Sequence, residues 1–423
     1  MTASAHTTVA GVPQYGERAA SLEEAERHAL AAVAELGMTH SLRPLPAGAT
    51  EPGAWRCDLR REGAPVPAGV GFGKGAGAAP RVGAVFEALE HHLSEMPPPG
   101  QIVLRDAHRV VAALGRHDAV LALLADGPDQ PLACLPYRSV TGGRDTDVPA
   151  FLSMPAYLEQ PASARQAGGD AYDYRVLCRY SLNSGWAAGV TRADAMVHAI
   201  NEIIERDAMS LLLIRQFLSR TPPPLRILDA ATLPVALAAL HRAAEQYVGG
   251  RVWLLDMTSD LGVPAYWAYL PAEPGAAARV RGCGASLSPA YAVERALHEL
   301  IQLDSGVADA AEEAAARIHT EAHPALHRCY LADFSARLGD AVTVPFRAAE
   351  SPATPEGHLE ALLALLRRHG HRAWVWDRYV SDHLAVVNVL VPGMERFMVV
   401  TDGQVVLPGP RGLAARVQGN GAG

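Results

Sequence analysis

Glu202, Glu205 and Arg206 occupy two successive turns' worth of spacing in the run Ala199-Ile-Asn-Glu202-Ile-Ile-Glu205-Arg206-Asp207. If Gly189 to Leu213 is helical, about 100° per residue places all three within roughly one third of the circumference. Ala195 and Ala199 share that face, while Met196, Ile200, Ile203 and Ile204 cover the other side. Like charges at i, i+3 destabilise a helix. Two carboxylates on a small-residue face therefore point to a bound metal or charged ligand. Asp207 falls on the apolar side and is expected to cap or pair locally.

The pattern recurs. Gly71-Phe-Gly-Lys-Gly-Ala-Gly77 leads into an expected helix, Pro80 to Glu95, carrying Glu87 and Glu90. These two acids sit beside an apolar stripe of Val82, Val85, Phe86, Leu89 and Leu93. Gly282-Cys-Gly284 leads into a helix from near Pro289, where Arg295, Glu299 and Gln302 oppose a stripe of Val293, Leu297 and Leu300. Three glycine-punctuated turns thus each feed an acid-bearing helix, which predicts one composite polar site built from distant segments.

On these residues the chain resembles the YcaO superfamily, ATP-dependent enzymes that modify peptide backbone amides. Gly73-Lys74-Gly75 with Glu87 and Glu90 matches its first signature, Asn183 to Ala208 its second, and Gly282 to Gln302 its third. Thr258-Ser-Asp-Leu-Gly-Val-Pro264 and Val391-Pro-Gly393 match secondary runs. Departures are Asn183-Ser184-Gly185 for Ser-Asn-Gly, Val190 for Asn, Gly83 for a small hydroxyl residue, and His91 for Arg.

The resemblance implies Mg²⁺ at Glu87, Glu90, Glu202 and Glu205. It implies ATP contacts from Lys74, Asn183, Ser184, Arg206, Arg295, Glu299 and Gln302, with Glu202, Glu205, Arg206 and Arg295 at the chemistry. Mg²⁺ takes one or two carboxylates and completes its shell with phosphate and water. Arg206 and Arg295 suit bidentate phosphate contacts. Glycines 71, 73, 75 and 77 would let backbone N–H groups approach a phosphate beside Lys74. Gly75 stands where a Walker A loop needs a hydroxyl, so the nucleotide geometry is a different one.

The implied reaction is cyclodehydration of Cys, Ser or Thr in a ribosomal precursor peptide to thiazoline or oxazoline, as in stand-alone members of the microcin synthetase kind and in antibiotic biosynthesis. Sister chemistries give thioamides or amidines, and a non-catalytic scaffold is a third reading. The PxPxxP ending of many azoline-forming members is matched only by Pro408-Gly-Pro410. With no E1-like leader-binding segment recognised, a separate leader-binding partner is implied, with a flavin dehydrogenase as a further partner and a homo- or hetero-oligomeric assembly.

The elements that must position these groups suggest an α+β fold, with mixed sheets packed against helices, because strands and helices do not alternate regularly. Residues 1–65 are expected as an accessory or docking segment, 66–410 as the YcaO domain, and 411–423 as a flexible tail. Residues 1–20 are expected as a flexible lead, and Ser21 with Glu24 predicts a capping box. Strands are expected at Ala54–Leu59, Val252–Leu255, Tyr266–Leu270, Trp374–Trp376, Leu384–Val391 and Met398–Val400. Single helices are expected over Val110–Leu124 and Ala308–His327, and a loop over Ser351–Glu356.

A net charge of −8 without a basic cluster excludes nucleic acid as an expected partner. Five cysteines without a C-x-x-C pair suggest reduced thiols and a cytoplasmic protein. Cys283 reads as a structural thiol. No long uncharged apolar run suggests a membrane span. His319, His323 and His327 have metal-ligand spacing, but Pro324 interrupts their helix.

Overall fold

Each of the three acid helices follows a strand that ends a sheet. The structure, a computed structural model, describes residues 15–46, 53–98, 100–271, 280–307 and 318–418. Its strands are β1 (Thr39–Leu45), β2 (Ala54–Arg61), β3 (Ala64–Gly73), β4 (Val103–Asp106), β5 (Pro131–Ser139), β6 (Thr146–Pro149), β7 (Trp186–Gly189), β8 (Arg226–Asp229), β9 (Trp253–Asp256), β10 (Ala265–Tyr269), β11 (Arg281–Ala285), β12 (Val342–Pro345), β13 (Trp374–Val380) and β14 (Ala385–Leu390).

They form three sheets, ordered β1-β2-β3, β4-β5-β13-β14-β7 with β6 beside β5, and β11-β10-β9-β8-β12. Pairing is antiparallel except for β8 and β12, which run parallel. This is the α+β arrangement of mixed sheets and helices. Strands β3, β7 and β11 are terminal in their sheets.

After them come the first acid helix (Ala79–Ser94), the second (Arg192–Leu213) and the third (Pro289–Gln302). Local sequence sets their starts. Thr191 caps the second helix by accepting from the Asp194 N–H, and Asp194 accepts from the Val190 N–H in return. Ser288 caps the third ahead of Pro289, whose missing N–H costs nothing at a first helical position.

Gly71 and Gly73 before the first helix, and Gly282 and Gly284 before the third, lie in strands, not in turns. A Cβ on Gly73 would lie 1.7 Å from the Pro80 carbonyl oxygen, and one on Gly282 would lie 2.0 Å from that of Ala296. Gly71 and Gly284 meet helix backbone at 2.2 Å in the same way. These four glycines bring a helix onto its own preceding strand, which corrects the expected role of Gly71 and Gly73 as phosphate contacts. Only Gly75 and Gly77 lie in the loop, with φ of 130° and 61°.

The apolar stripes of the second and third helices are buried as expected, and that of the first is buried except at Phe86, which is partly exposed. Val293, Leu297 and Leu300 are fully buried with Leu254 and Ala268 of the β11 sheet. Ala29, Val33, Cys57 and Leu59 share one core with Val85, Ala88 and Leu89. In the segment before the first signature, β1 and β2 complete the sheet of β3.

Several expectations change. Val110–Leu124 is two helices, Ala107–Leu114 and Ala119–Asp126, divided at Gly115 with φ of 89° and restarted by an Asp118 cap. Met398–Val400 belongs to a 3-10 helix, Phe397–Asp402, and a helix already begins at Pro355, capped by Thr354. A helix occupies Pro324–Leu331, and residues 308–317 of the expected 308–327 helix lie outside the described residues.

The expected flexible tail is in part a helix, Pro410–Gln418, and residues 419–423 are outside the described ones. Buried Glu395 accepts from the Gly409 and Gly412 N–H groups at 2.9 and 2.8 Å and so fixes the start of that helix. Residues 1–14 of the expected lead are likewise not described. Tyr15 to Arg18 are packed: Glu17 is 4% exposed and accepts from Ser286.

Candidate active site

The carboxylates converge. One cavity of about 870 Å³ is lined by Glu87 and Glu90 of the first acid helix, Glu202 and Glu205 of the second, and Glu299 of the third. Lys74, Asn183, Arg206, Arg295 and Gln302 line it too. Of the residues implicated by sequence, only Ser184 is not brought in. It borders a separate cavity of about 20 Å³, and its carbonyl accepts from Asn388 at 3.0 Å.

The fold explains why acids are stable there. A strand that ends a sheet has N–H groups without a strand partner. Glu87 accepts from the Phe72 N–H of β3 at 2.7 Å, and Glu90 from the Ala188 N–H of β7 at 2.9 Å. Backbone N–H groups of Gly185 and Cys283 likewise favour the charged forms of Glu202 and Glu299. The glutamates therefore join three sheet edges as well as three helices. Gln302 donates to the Phe72 carbonyl at 3.0 Å, tying the third helix to β3.

The cations are arranged unevenly. Arg206 Nη1 donates to the Asn183 carbonyl at 2.6 Å and lies 2.9 Å from Glu202 Oε1. Lys74 pairs with Glu299. Burial opposes ionisation of Glu299, but Lys74 and Arg295 outweigh it and hold this carboxyl below its usual range. Glu87, Glu90, Glu202 and Glu205 are all pushed up, chiefly by burial. Glu202 and Glu87 carry Glu90 to about 8, and Glu299 helps carry Glu205 to about 7.

These residues fit Mg²⁺ and a polyphosphate. Carboxylates repelling one another in a recessed site lack positive charge, which a divalent ion supplies. Among the described residues, Asn183 Oδ1 and Arg295 Nε are buried atoms without a hydrogen-bond partner. Among the described residues no three His, Cys, Asp or Glu side chains form a ready metal cage. An ion here would take the rest of its shell from phosphate and water, as Mg²⁺ ordinarily does. His319, His323 and His327 form no such cage either.

Sequence reasoning missed other walls. His198 lies one turn before Glu202 on the same stripe, a spacing that reveals it. Burial and the neighbouring Arg295 depress it well below its ordinary pKa, so it is neutral. His298, beside Glu299, falls to about 4 through burial and the charge of Lys74. Tyr15 and Arg18 carry no sequence signal. Tyr15 stacks on Tyr291 with centroids 4.8 Å apart and donates to Glu294, and Arg18 pairs with Asp194 at 2.9 Å.

Asp207 pairs across the fold rather than locally. Fully buried, it accepts from Arg411 Nε and Nη2 at 2.7 and 2.9 Å. Cys283 is a buried free thiol, and all five cysteines are free. Among the described residues no helix is long and apolar enough to cross a membrane.

Known proteins resemble this chain in sequence and in fold. The family described as YcaO cyclodehydratase, ATP- and Mg²⁺-binding, matches residues 72–395. An uncharacterized protein of Methanothermobacter thermautotrophicus is 29% identical over 52% of this chain and 57% of its own length. One from Rhizobium leguminosarum bv. trifolii, encoded in the tfuA 3' region, is 26% identical over 55% and 56%. The matches thus span little more than half of these relatives.

Among solved structures, YcaO from Methanopyrus kandleri bound with AMPPCP and Mg²⁺ has a TM-score of 0.60 at 22% identity, covering 92% of this chain and 95% of its own. A heterocyclase in complex with substrate and cofactor has a TM-score of 0.61 at 19% identity, covering 90% and 53%. The E. coli microcin synthetase McbBCD complex with pro-MccB17 bound gives 0.52 at 12%, covering 85% and 88%. These structures share the fold. ATP and Mg²⁺ are the cofactors of the matched family, and this chain is a member of the YcaO cyclodehydratase family.

Proposed function

We propose that the chain is an ATP- and Mg²⁺-dependent cyclodehydratase that converts Cys, Ser or Thr of a ribosomal precursor peptide into thiazoline or oxazoline. One observation carries this reading: five glutamates from three helices meet Lys74, Arg206 and Arg295 in a cavity of about 870 Å³. Such a site suits a charged polyphosphate and leaves space beside it.

In this reaction the side-chain thiol or hydroxyl adds to the preceding carbonyl carbon and gives up its proton. The former carbonyl oxygen takes the γ-phosphoryl group, releasing ADP. Loss of the amide proton and departure of phosphate then form the C=N bond, so the peptide loses one water in total. An amide oxygen leaves poorly until it is a phosphate ester, and the protein's work is positioning and charge neutralisation.

Glu87, Glu90, Glu202 and Glu205 would hold Mg²⁺, which neutralises phosphate charge when bound. Arg206, Arg295 and Lys74 would hold phosphate oxygens, and Asn183 and Glu299 would orient the nucleotide and its cation. Gln302 acts through Phe72 as a positioning residue. A separate protein would capture the leader of the precursor.

The sister reactions use the same ATP half, so the product distinguishes them. The precursor is incubated with this chain, its capturing partner and MgATP, then weighed by mass spectrometry. Loss of one water per converted residue is expected. Exchange of oxygen for sulfur would establish a thioamide instead. An unchanged mass without phosphate release would contradict the enzymatic reading.

A further inference from the structure

The cavity changes chemical character along its length. Asp194, His198, Glu202, Glu205 and Met209 line it from one stripe of the second acid helix. At 1.5 Å per residue, that stripe is about 22 Å long. Around Asp194 lie the Tyr15–Tyr291 stack and two carboxylates, Asp194 and Glu294, chemistry that suits the base and hydroxyls of a nucleoside. Beside Met209, the Ser210 hydroxyl accepts from the Met398 N–H, and Thr401, which donates to the Met398 carbonyl, accepts from Arg281; Met398 and Cys283 are both buried there. The carboxylates stand between the two ends.

Arg281 is held in place without being used up. Its Nη2 donates to Thr401 Oγ1 at 2.9 Å, Asp402 lies 3.8 Å away, and the guanidinium stands 5.9 Å from the Trp267 ring centroid. A guanidinium has five N–H donors, and this one borders the cavity. Its strand, β11, ends its sheet. Its outer edge faces the cavity, because the Cys283 N–H there meets Glu299, and Arg281 is the next residue along that edge with the same orientation.

A peptide main chain needs carbonyl acceptors satisfied and an edge along which to extend. Methionines accommodate varied side chains beside it. The nucleoside end offers neither feature.

Resting on the cyclodehydratase reading, we infer that Arg281 is the specificity residue of an acceptor subsite, where it donates to a carbonyl of an extended peptide lying along β11 between Met209 and Met398. The peptide amide to be activated then lies on the far side of the carboxylates from the nucleoside. A phosphoryl group held by the central cations can pass directly to it.

The test uses the full chain saturated with Mg²⁺ and a non-hydrolysable ATP analogue. The probe is the uncharged peptide acetyl-Gly-Val-Cys-Val-Gly-amide, titrated by calorimetry. Arg281→Ala is expected to weaken the peptide about tenfold to hundredfold, as loss of a charged hydrogen bond does. Affinity for the analogue should change less than about twofold, and Arg281→Lys should recover part of the loss. Equal peptide affinity in the parent and Arg281→Ala chains, including no binding by either, overturns the inference. So does an equal loss for analogue and peptide, which would put Arg281 on the nucleotide. An analogue that fails to bind the parent chain overturns the proposed function itself, and that arm keeps the two failures apart.

Discussion

Lys74 and Glu299 lie 225 residues apart in the chain and form an ion pair on the cavity wall. Lys74 sits in the loop after β3 and Glu299 in the third acid helix. The pair therefore reports directly that two sequence-distant signatures close one site. Removing the ammonium leaves Glu299 facing four other carboxylates. Lys74→Ala is expected to raise the pKa of Glu299 and to weaken a Mg-bound ATP analogue by about tenfold or more, the scale of a charged hydrogen bond. Calorimetric titration checks this, and unchanged affinity would remove Lys74 from the nucleotide site.

The raised acids make the cation-free protein sensitive to alkali. Glu205 titrates at about 7 and Glu90 at about 8 when folded, against 4.5 for a free carboxyl. The folded chain thus binds more protons than the unfolded one between these values, so stability falls as pH rises through them. Below 4.5 these groups are protonated in both states, and their contribution is fully present. Without Mg²⁺ or nucleotide, the thermal midpoint should drop between about pH 4.5 and about pH 8. Glu90→Gln should reduce the drop, since a neutral amide has no proton to lose. A midpoint equally pH-dependent in Glu90→Gln would show that Glu90 does not drive it.

Gly73 is a packing residue. A methyl group there would strike the Pro80 carbonyl, a backbone atom that cannot move aside. Gly73→Ala should cost about 3 kcal/mol or more in denaturant unfolding. Gly77 has φ of 61° and open space around it, so Gly77→Ala should cost only about 1 kcal/mol. Equal costs would contradict the assignment of Gly73 to helix–strand contact.

Much of the site was legible because its residues repeat at helical spacing. Glu202, Glu205 and Arg206, like Arg295, Glu299 and Gln302, oppose buried stripes, so amphipathic periodicity located both helices to within a few residues. Glu87 and Glu90 were harder to place, because Val82 and Phe86 of their stripe also face the cavity. The glycine runs misled: the same residue type serves a phosphate loop and a strand pressed on a helix, and only three-dimensional contact separates the two. Tyr15, Arg18 and Arg411 escaped because their partners, Glu294, Asp194 and Asp207, are more than 170 residues away and no local pattern encodes such a pairing. The helix at Pro410–Gln418 was missed because Glu395, 14 and 17 residues before the N–H groups it accepts from, anchors it rather than its own periodicity.

The central claim is that carboxylates of three separate helices jointly hold magnesium and a nucleotide. The most direct measurement is calorimetric titration of a non-hydrolysable ATP analogue, with and without Mg²⁺, into the parent chain and into Glu87→Gln, Glu205→Gln and Glu299→Gln. Binding should require Mg²⁺ in the parent chain and weaken about thirtyfold or more in each variant, the loss expected when one charged contact is removed from a recessed site. Binding that is indifferent to Mg²⁺, or that survives unchanged in any one of the three variants, would contradict the account.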